Sequence, residues 1–97
     1  MTLRAIMVWM AMALTWTAAL RAEPLAMVAF GDSTTAPRAG LVVCAQLLES
    51  ELRARGTEVK VINAGVPSNS TADARRRFEK DVLTQNPTLV IIQFGIN

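Results

Sequence analysis

Three short stretches of this 97-residue chain combine glycine with small polar residues: Gly31-Asp32-Ser33-Thr34-Thr35, Asn63-Ala64-Gly65 and Gly95-Ile96-Asn97. Each holds groups able to act as a nucleophile or as a hydrogen-bond donor. Taken singly, Gly-Asp-Ser reads more readily as a turn and helix cap than as a reactive site. Glycine supplies a positive φ there, and Asp and Ser are common turn and cap residues. The joint pattern reverses that judgement, because each stretch directly follows an apolar run.

The apolar runs and the segments between them supply the elements that must position these loops. Leu25 to Phe30 is almost continuously apolar and bounded by Pro24 and Gly31, which suits a strand covered on both faces. Ala39 to Arg55 sets Leu41, Cys44, Ala45, Leu48 and Leu52 on one stripe, the pattern of an amphipathic helix, and Gly56 stands where a left-handed C-cap is wanted. Glu58 to Asn63 is a β-branched run and a second strand. Ser70 or Thr71 can cap a second helix running to about Leu83, which Asn86-Pro87 breaks, and Leu89 to Phe94 is a third strand. Alternation of strand and helix with short connections predicts an α/β fold, a parallel sheet with flanking helices. In such sheets ligands bind beyond the carboxyl ends of the strands, so Ser33, Gly65 and Asn97 are expected to converge there.

Composition narrows the partners. Residues 1–22 read as a signal peptide: Arg4, then sixteen charge-free residues from Ala5 to Leu20, then Arg21-Ala22 before the expected cut. Sixteen residues fall short of the roughly 20 that a spanning helix needs. An uncleaved leader is the one expected route to a membrane. Removing Arg4 and Arg21 leaves eight of the ten basic residues against eight acidic ones, so the mature part is neutral and no nucleic-acid partner is expected. Arg75-Arg76-Arg77 reads as a solvated helix face. The lone Cys44 cannot form an internal disulfide and reads as a small buried residue, and no Cys/His cluster is present to hold a metal.

The residues just described resemble the SGNH, or GDSL-type, hydrolase superfamily over residues 25–97, with three sequence blocks in the family's order. The resemblance implies a flavodoxin-like three-layer α/β/α domain over residues 23–97, of which the first three strands are present. It implies hydrolysis of carboxylic esters without a cofactor, on a small ester or O-acetylated carbohydrate, by a secreted or periplasmic enzyme. Ser33 corresponds to the family's nucleophile. Gly65 corresponds to a backbone N–H donor to the oxyanion and Asn97 to a carboxamide donor, with Gly31, Asp32 and Gly95 as supporting turn residues. Donors preplaced about 2.7–3.1 Å from the developing oxyanion lower the barrier to acyl transfer. Two positions depart from the pattern. Thr34 stands where leucine is usual, and no glycine occurs near Ser68 or Asn69, where one is frequent.

The chain contains no histidine, and Asn97 is its last residue, inside the third block. The family's Asp-x-x-His block is expected beyond it, which makes the 97 residues an N-terminal part of the domain. Asp32, Asp73 and Asp81 are not expected to serve as the base: the first organises the turn and the others belong to the second helix. A flavodoxin-like binding module holding a phosphate at Gly31 to Thr35 is the alternative from another class, although neither Gly-x-x-x-x-Gly-Lys-Ser/Thr nor Gly-x-Gly-x-x-Gly occurs. A noncatalytic fragment is a third. The hydrolase reading predicts that purified residues 23–97 alone give no p-nitrophenyl acetate hydrolysis that Ser33→Ala abolishes; Ser33-dependent turnover would contradict the missing-base argument.

Overall fold

The computed structural model describes residues 24–97, so the leader expected over residues 1–22 lies outside the described residues. Strand β1 spans Leu25–Gly31, helix α1 Cys44–Ala54, strand β2 Val59–Gly65, helix α2 Thr71–Asp81 and strand β3 Leu89–Gln93, with a short 3-10 helix at Leu83–Gln85 before β3. The three strands form one parallel sheet in the order β2-β1-β3. β1 therefore lies in the middle, which explains why Met27 to Gly31 are all buried and why its sequence is nearly all apolar. β3 lies at an edge and leaves Leu89 and Ile92 52% and 63% exposed.

Val28 and Phe30 point to the same face of β1, where they pack with Ala74 and Val82 beside the half-buried Phe78 and Phe94. The Phe30 ring meets Phe94 edge-on with centroids 5.0 Å apart and lies tilted against Phe78 at 5.7 Å. Such aromatic pairs add about 0.5–1.5 kcal/mol beyond the area they bury. The core thus extends to the carboxyl end of the central strand, close to the loops that carry the polar residues.

α1 begins at Cys44, not at the expected Ala39. Gly40 has φ +77°, and Arg38 pairs with Leu41 in an isolated antiparallel bridge, so the backbone before the helix is held in a tight turn. The apolar stripe then runs through buried Ala45 and half-buried Leu48 and Leu52. Leu41 and Cys44 fall off it and are exposed, which corrects the reading of Cys44 as buried. The C-terminus is as anticipated. Gly56, at φ +87°, donates to Arg53 O at 3.0 Å, and Thr57 N–H donates to Leu52 O at 2.9 Å, the paired bonds of a Schellman cap. α1 also covers the free edge of β2: Glu49 Oε2 accepts from Val61 N–H at 3.0 Å and Arg53 Nε donates to Val59 O at 3.1 Å. Two charged side chains of α1 thereby blunt a strand edge.

α2 is capped by Ser70, whose hydroxyl accepts from Asp73 N–H at 3.3 Å while Asp73 Oδ2 accepts from Ser70 N–H at 2.9 Å. This reciprocal box fixes the helix start. The Ser70 N–H, then the Arg76 guanidinium and the Ser70 hydroxyl, hold the Asp73 carboxyl down to about 2. The helix ends at Asp81, two residues before the expected Leu83, and the 3-10 turn and left-handed Asn86 (φ 48°) carry the chain into Pro87 and β3.

Two measurements check this architecture. Val28 is fully buried and Val42 is 74% exposed, so Val28→Ala is expected to lower unfolding stability in urea by roughly 2 kcal/mol and Val42→Ala by less than about 0.5 kcal/mol. Because the Asp73 pKa is depressed in the folded state, its contribution is present above the unfolded value near 3.8 and lost as pH falls toward about 2. Asp73→Asn is expected to flatten the acid limb of a helix-signal titration over that window.

Candidate active site

The turn after β1 is built around Asp32. Thr35 N–H and Ala36 N–H donate to the Asp32 carbonyl at 3.1 and 3.0 Å, closing a tight backbone loop. The Asp32 carboxylate accepts from Thr34 N–H at 3.0 Å and from the Thr34 hydroxyl at 2.8 Å. The Thr34 N–H chiefly, then the Thr34 hydroxyl, lower the Asp32 pKa against the opposing effect of burial. This carboxylate is committed to its own turn, as the sequence led one to expect, and Thr34 has a use that leucine could not supply. Asp32, Thr35 and Ala36 are buried, whereas Ser33 between them is half-buried. No hydrogen bond among the described residues involves the Ser33 hydroxyl, while Ser33 O accepts from Arg38 Nη2 at 3.0 Å.

Gly31 and Gly65 are partners in register across β1 and β2, and Gly31 is also paired with Gln93 of β3. Gly31 is not at a positive φ, contrary to the expectation for this turn. Its bareness answers a steric demand: a Cβ there would collide with the Thr35 hydroxyl and come within 2.9 Å of Gln93 O. Gly65 is more tightly constrained. A Cβ on it would stand 2.7 Å from both Ala36 Cα and Thr35 carbonyl carbon, backbone atoms that cannot swing aside. Gly95 does occupy the left-handed region, at φ +122°, where the chain leaves β3.

Asn63 joins these pieces. Its Nδ2 donates to Thr35 O at 2.7 Å and its Oδ1 accepts from Gly65 N–H at 2.9 Å, so one carboxamide ties the turn after β1 to the end of β2. On the other side the Thr35 hydroxyl reaches Gln93 Oε1 at 3.4 Å. Asn97 lies exposed beyond β3, and its Nδ2 donates to Asn69 O at 3.0 Å. Ser33, Gly65 and Asn97 thus stand on the three loops at the carboxyl edge of the sheet, without hydrogen bonds to one another. The Gly65 N–H and one Asn97 N–H are held by neighbouring protein oxygens. Ser68, at φ 67°, takes a left-handed conformation in the loop where the family pattern favours glycine.

The least anticipated residue is Arg77, read from sequence as part of a solvated face. Arg75 and Arg76 are exposed, but the Arg77 side chain is only 15% exposed. Its guanidinium lies over the Phe30 ring at 4.5 Å and donates to Gly31 O (2.9 Å), Ala64 O (2.8 Å), Asn69 Oδ1 (2.6 Å) and Asp81 Oδ2 (3.1 Å). Spacing gave no signal for it: on a helical wheel Arg75 falls nearer the stripe of Ala74, Phe78 and Val82 than Arg77 does. Among the described residues no group of His, Cys, Asp and Glu side chains is placed to hold a metal.

Known proteins resemble this chain in sequence and in fold. The family model described as GDSL-like lipase/acylhydrolase matches residues 29–97. Acetylxylan esterase of Geobacillus stearothermophilus is 35% identical over 77 residues, covering 79% of this chain and 33% of the relative. The uncharacterized lipoprotein YqeF of Bacillus subtilis (strain 168) is 38% identical over 80 residues, covering 73% of this chain and 31% of its own length. The chain thus spans about a third of the length of these curated relatives. Among solved structures, AlinE4, an SGNH-hydrolase family esterase, superposes with a TM-score of 0.65 at 35% identity, covering 75% of this chain and 41% of the esterase. A lipase/acylhydrolase from Enterococcus faecalis does so at 0.63 and 40% identity, covering 73% and 38%. With the three-stranded parallel sheet in place and the family model matched over residues 29–97, the chain belongs to the GDSL-like lipase/acylhydrolase family of SGNH hydrolases.

Proposed function

We propose that this protein is an exported serine hydrolase of carboxylic esters that works through an acyl-enzyme on Ser33. The observation that supports the reading is the half-buried Ser33, whose hydroxyl has no hydrogen-bond partner among the described residues, on a turn whose neighbouring residues are tied down through Asp32. The Ser33 oxygen adds to the ester carbonyl carbon and passes its proton to a base. The tetrahedral oxyanion then collapses with departure of the alcohol, which takes a proton from the protonated base. Water repeats the sequence on the acyl-enzyme, releasing the carboxylic acid and restoring Ser33. Neither half-reaction requires a cofactor.

The oxyanion is received by Ser33 N–H, Gly65 N–H and Asn97 Nδ2. Gly65 N–H is shared between the oxyanion and Asn63 Oδ1, and Asn97 brings the amide hydrogen that Asn69 does not use. The base is a histidine, which this chain does not contain, and we assign it to an Asp-x-x-His block beyond Asn97. Asp32 is unsuited to that task because both Thr34 donors favour its ionised, turn-bound state.

Export is supported by the leader-like residues 1–22 and by a lipoprotein among the relatives. A leader that is removed gives a secreted or periplasmic enzyme, and one that is retained gives a membrane tether. The acetylxylan esterase relative favours a small ester or an O-acetylated carbohydrate as substrate.

In the protein produced from its complete reading frame, a fluorophosphonate is expected to label Ser33 and no other serine, as read by peptide mass spectrometry. Asn97→Ala is expected to lower kcat for p-nitrophenyl acetate by about 100- to 1000-fold. Labelling elsewhere, or an Asn97→Ala enzyme with unchanged kcat, would overturn the assignment.

A further inference from the structure

We propose that Arg77 is the positioning residue of the site, setting the Gly65 N–H through one peptide group and the Asn97 carboxamide through Asn69. The inference rests on the serine hydrolase reading and deepens it by naming what holds its donors in place.

The bond from Arg77 Nη1 to Ala64 O carries most of the argument. That carbonyl belongs to the peptide whose N–H is Gly65's, and in a trans peptide the two groups point in opposite directions. A cation fixed on the oxygen orients the plane and polarises the N–H on its far side, which strengthens that N–H as a donor. Arg77 thereby acts on the oxyanion-facing group without approaching it.

Two further bonds extend the same control. Nη2 holds Gly31 O, the last carbonyl before the Asp32-Ser33 turn, which also accepts from Val66 N–H at 3.0 Å. Nε holds Asn69 Oδ1, and the carbonyl of that same Asn69 accepts from Asn97 Nδ2. One guanidinium therefore links the ends of β1 and β2 to the residue that docks the amide following β3. A planar fork reaches these separate acceptors at once, whereas a lysine ammonium is a single point of donors. The plane is held in turn by the Phe30 ring at 4.5 Å and the Phe94 ring at 5.9 Å, and Asp81 supplies the counter-charge. Arg75 and Arg76, next to it in sequence, are exposed and make none of these contacts.

The test uses the protein from its complete reading frame, with p-nitrophenyl acetate kinetics and circular dichroism on each variant. Arg77→Met is expected to lower kcat about 100-fold and Arg77→Lys, which keeps the charge and the apolar stem, about 10-fold, with KM changed less than about 2-fold. Asn69→Ala, which keeps the backbone carbonyl that Asn97 uses but removes the side-chain oxygen that Arg77 holds, is expected to fall between them, and Arg76→Met to retain wild-type kcat. Folded Arg77→Lys with wild-type kcat would overturn the proposal even if Arg77→Met fails to fold, and so would a loss expressed in KM alone. Ser33→Ala is the separating control: if it stays active, the hydrolase reading beneath the proposal has failed; if it is inactive while folded Arg77 variants keep their kcat, only the positioning role has.

Discussion

Gly65 lies so close to the Thr35-Ala36 backbone that no side-chain atom fits between them, and the arrangement of the loops follows from that approach. The turn after the central strand is thereby laid across the end of β2 instead of rising into solvent. Asn63 can then reach Thr35 O and Gly65 N–H with one carboxamide, and Thr35 can reach back to Gln93 on β3. With its flanks fixed to both neighbouring strands, the turn presents Ser33 outward. Each of these bonds contributes about 0.5–1.5 kcal/mol net, so their value lies less in stability than in the geometry they impose together.

Charge is distributed to the same end. Asp32, the carboxylate nearest Ser33, is engaged by both donors of Thr34, and what it stabilises is the shape of the loop. Arg77 brings a positive charge to the carboxyl ends of β1 and β2, with Asp81 limiting the cost of holding it there. The aromatic cluster of Phe30, Phe78 and Phe94 gives that guanidinium a firm floor at the carboxyl end of β1. Mounting loops on the ends of packed strands and bracing them in this way is what preorganised donors would require.

The features legible in the sequence were those with a local cause. Continuous apolar runs marked strands, the Gly56 cap followed from its place after the α1 stripe, and Ser70 stood with Thr71 as one of two hydroxyls able to cap α2, of which the structure uses Ser70. The start of α1 was misplaced because Ala39 and Leu41 fit the helical period, while the bend at Gly40 and the Arg38–Leu41 bridge that interrupt it depend on the fold. Arg77 was concealed for a related reason. Within its run it looks like Arg75 and Arg76, and only the placement of Gly31 O, 46 residues earlier in the chain, gives it a distinct purpose. Gly31 was read as a positive-φ turn residue and Gly65 as a backbone donor, but what keeps both bare is tertiary: other backbone and side-chain atoms occupy the space a Cβ would take.

The central claim is that the loops after β1, β2 and β3 form one acyl-transfer site with Ser33 at its centre. A crystal structure of the protein from its complete reading frame, inactivated with a fluorophosphonate, tests it most directly. The expected result is phosphorus bonded to Ser33 Oγ, with the phosphoryl oxygen about 2.7–3.1 Å from Ser33 N, Gly65 N and Asn97 Nδ2. An adduct on another residue, or a phosphoryl oxygen turned away from Gly65 and Asn97, would contradict it.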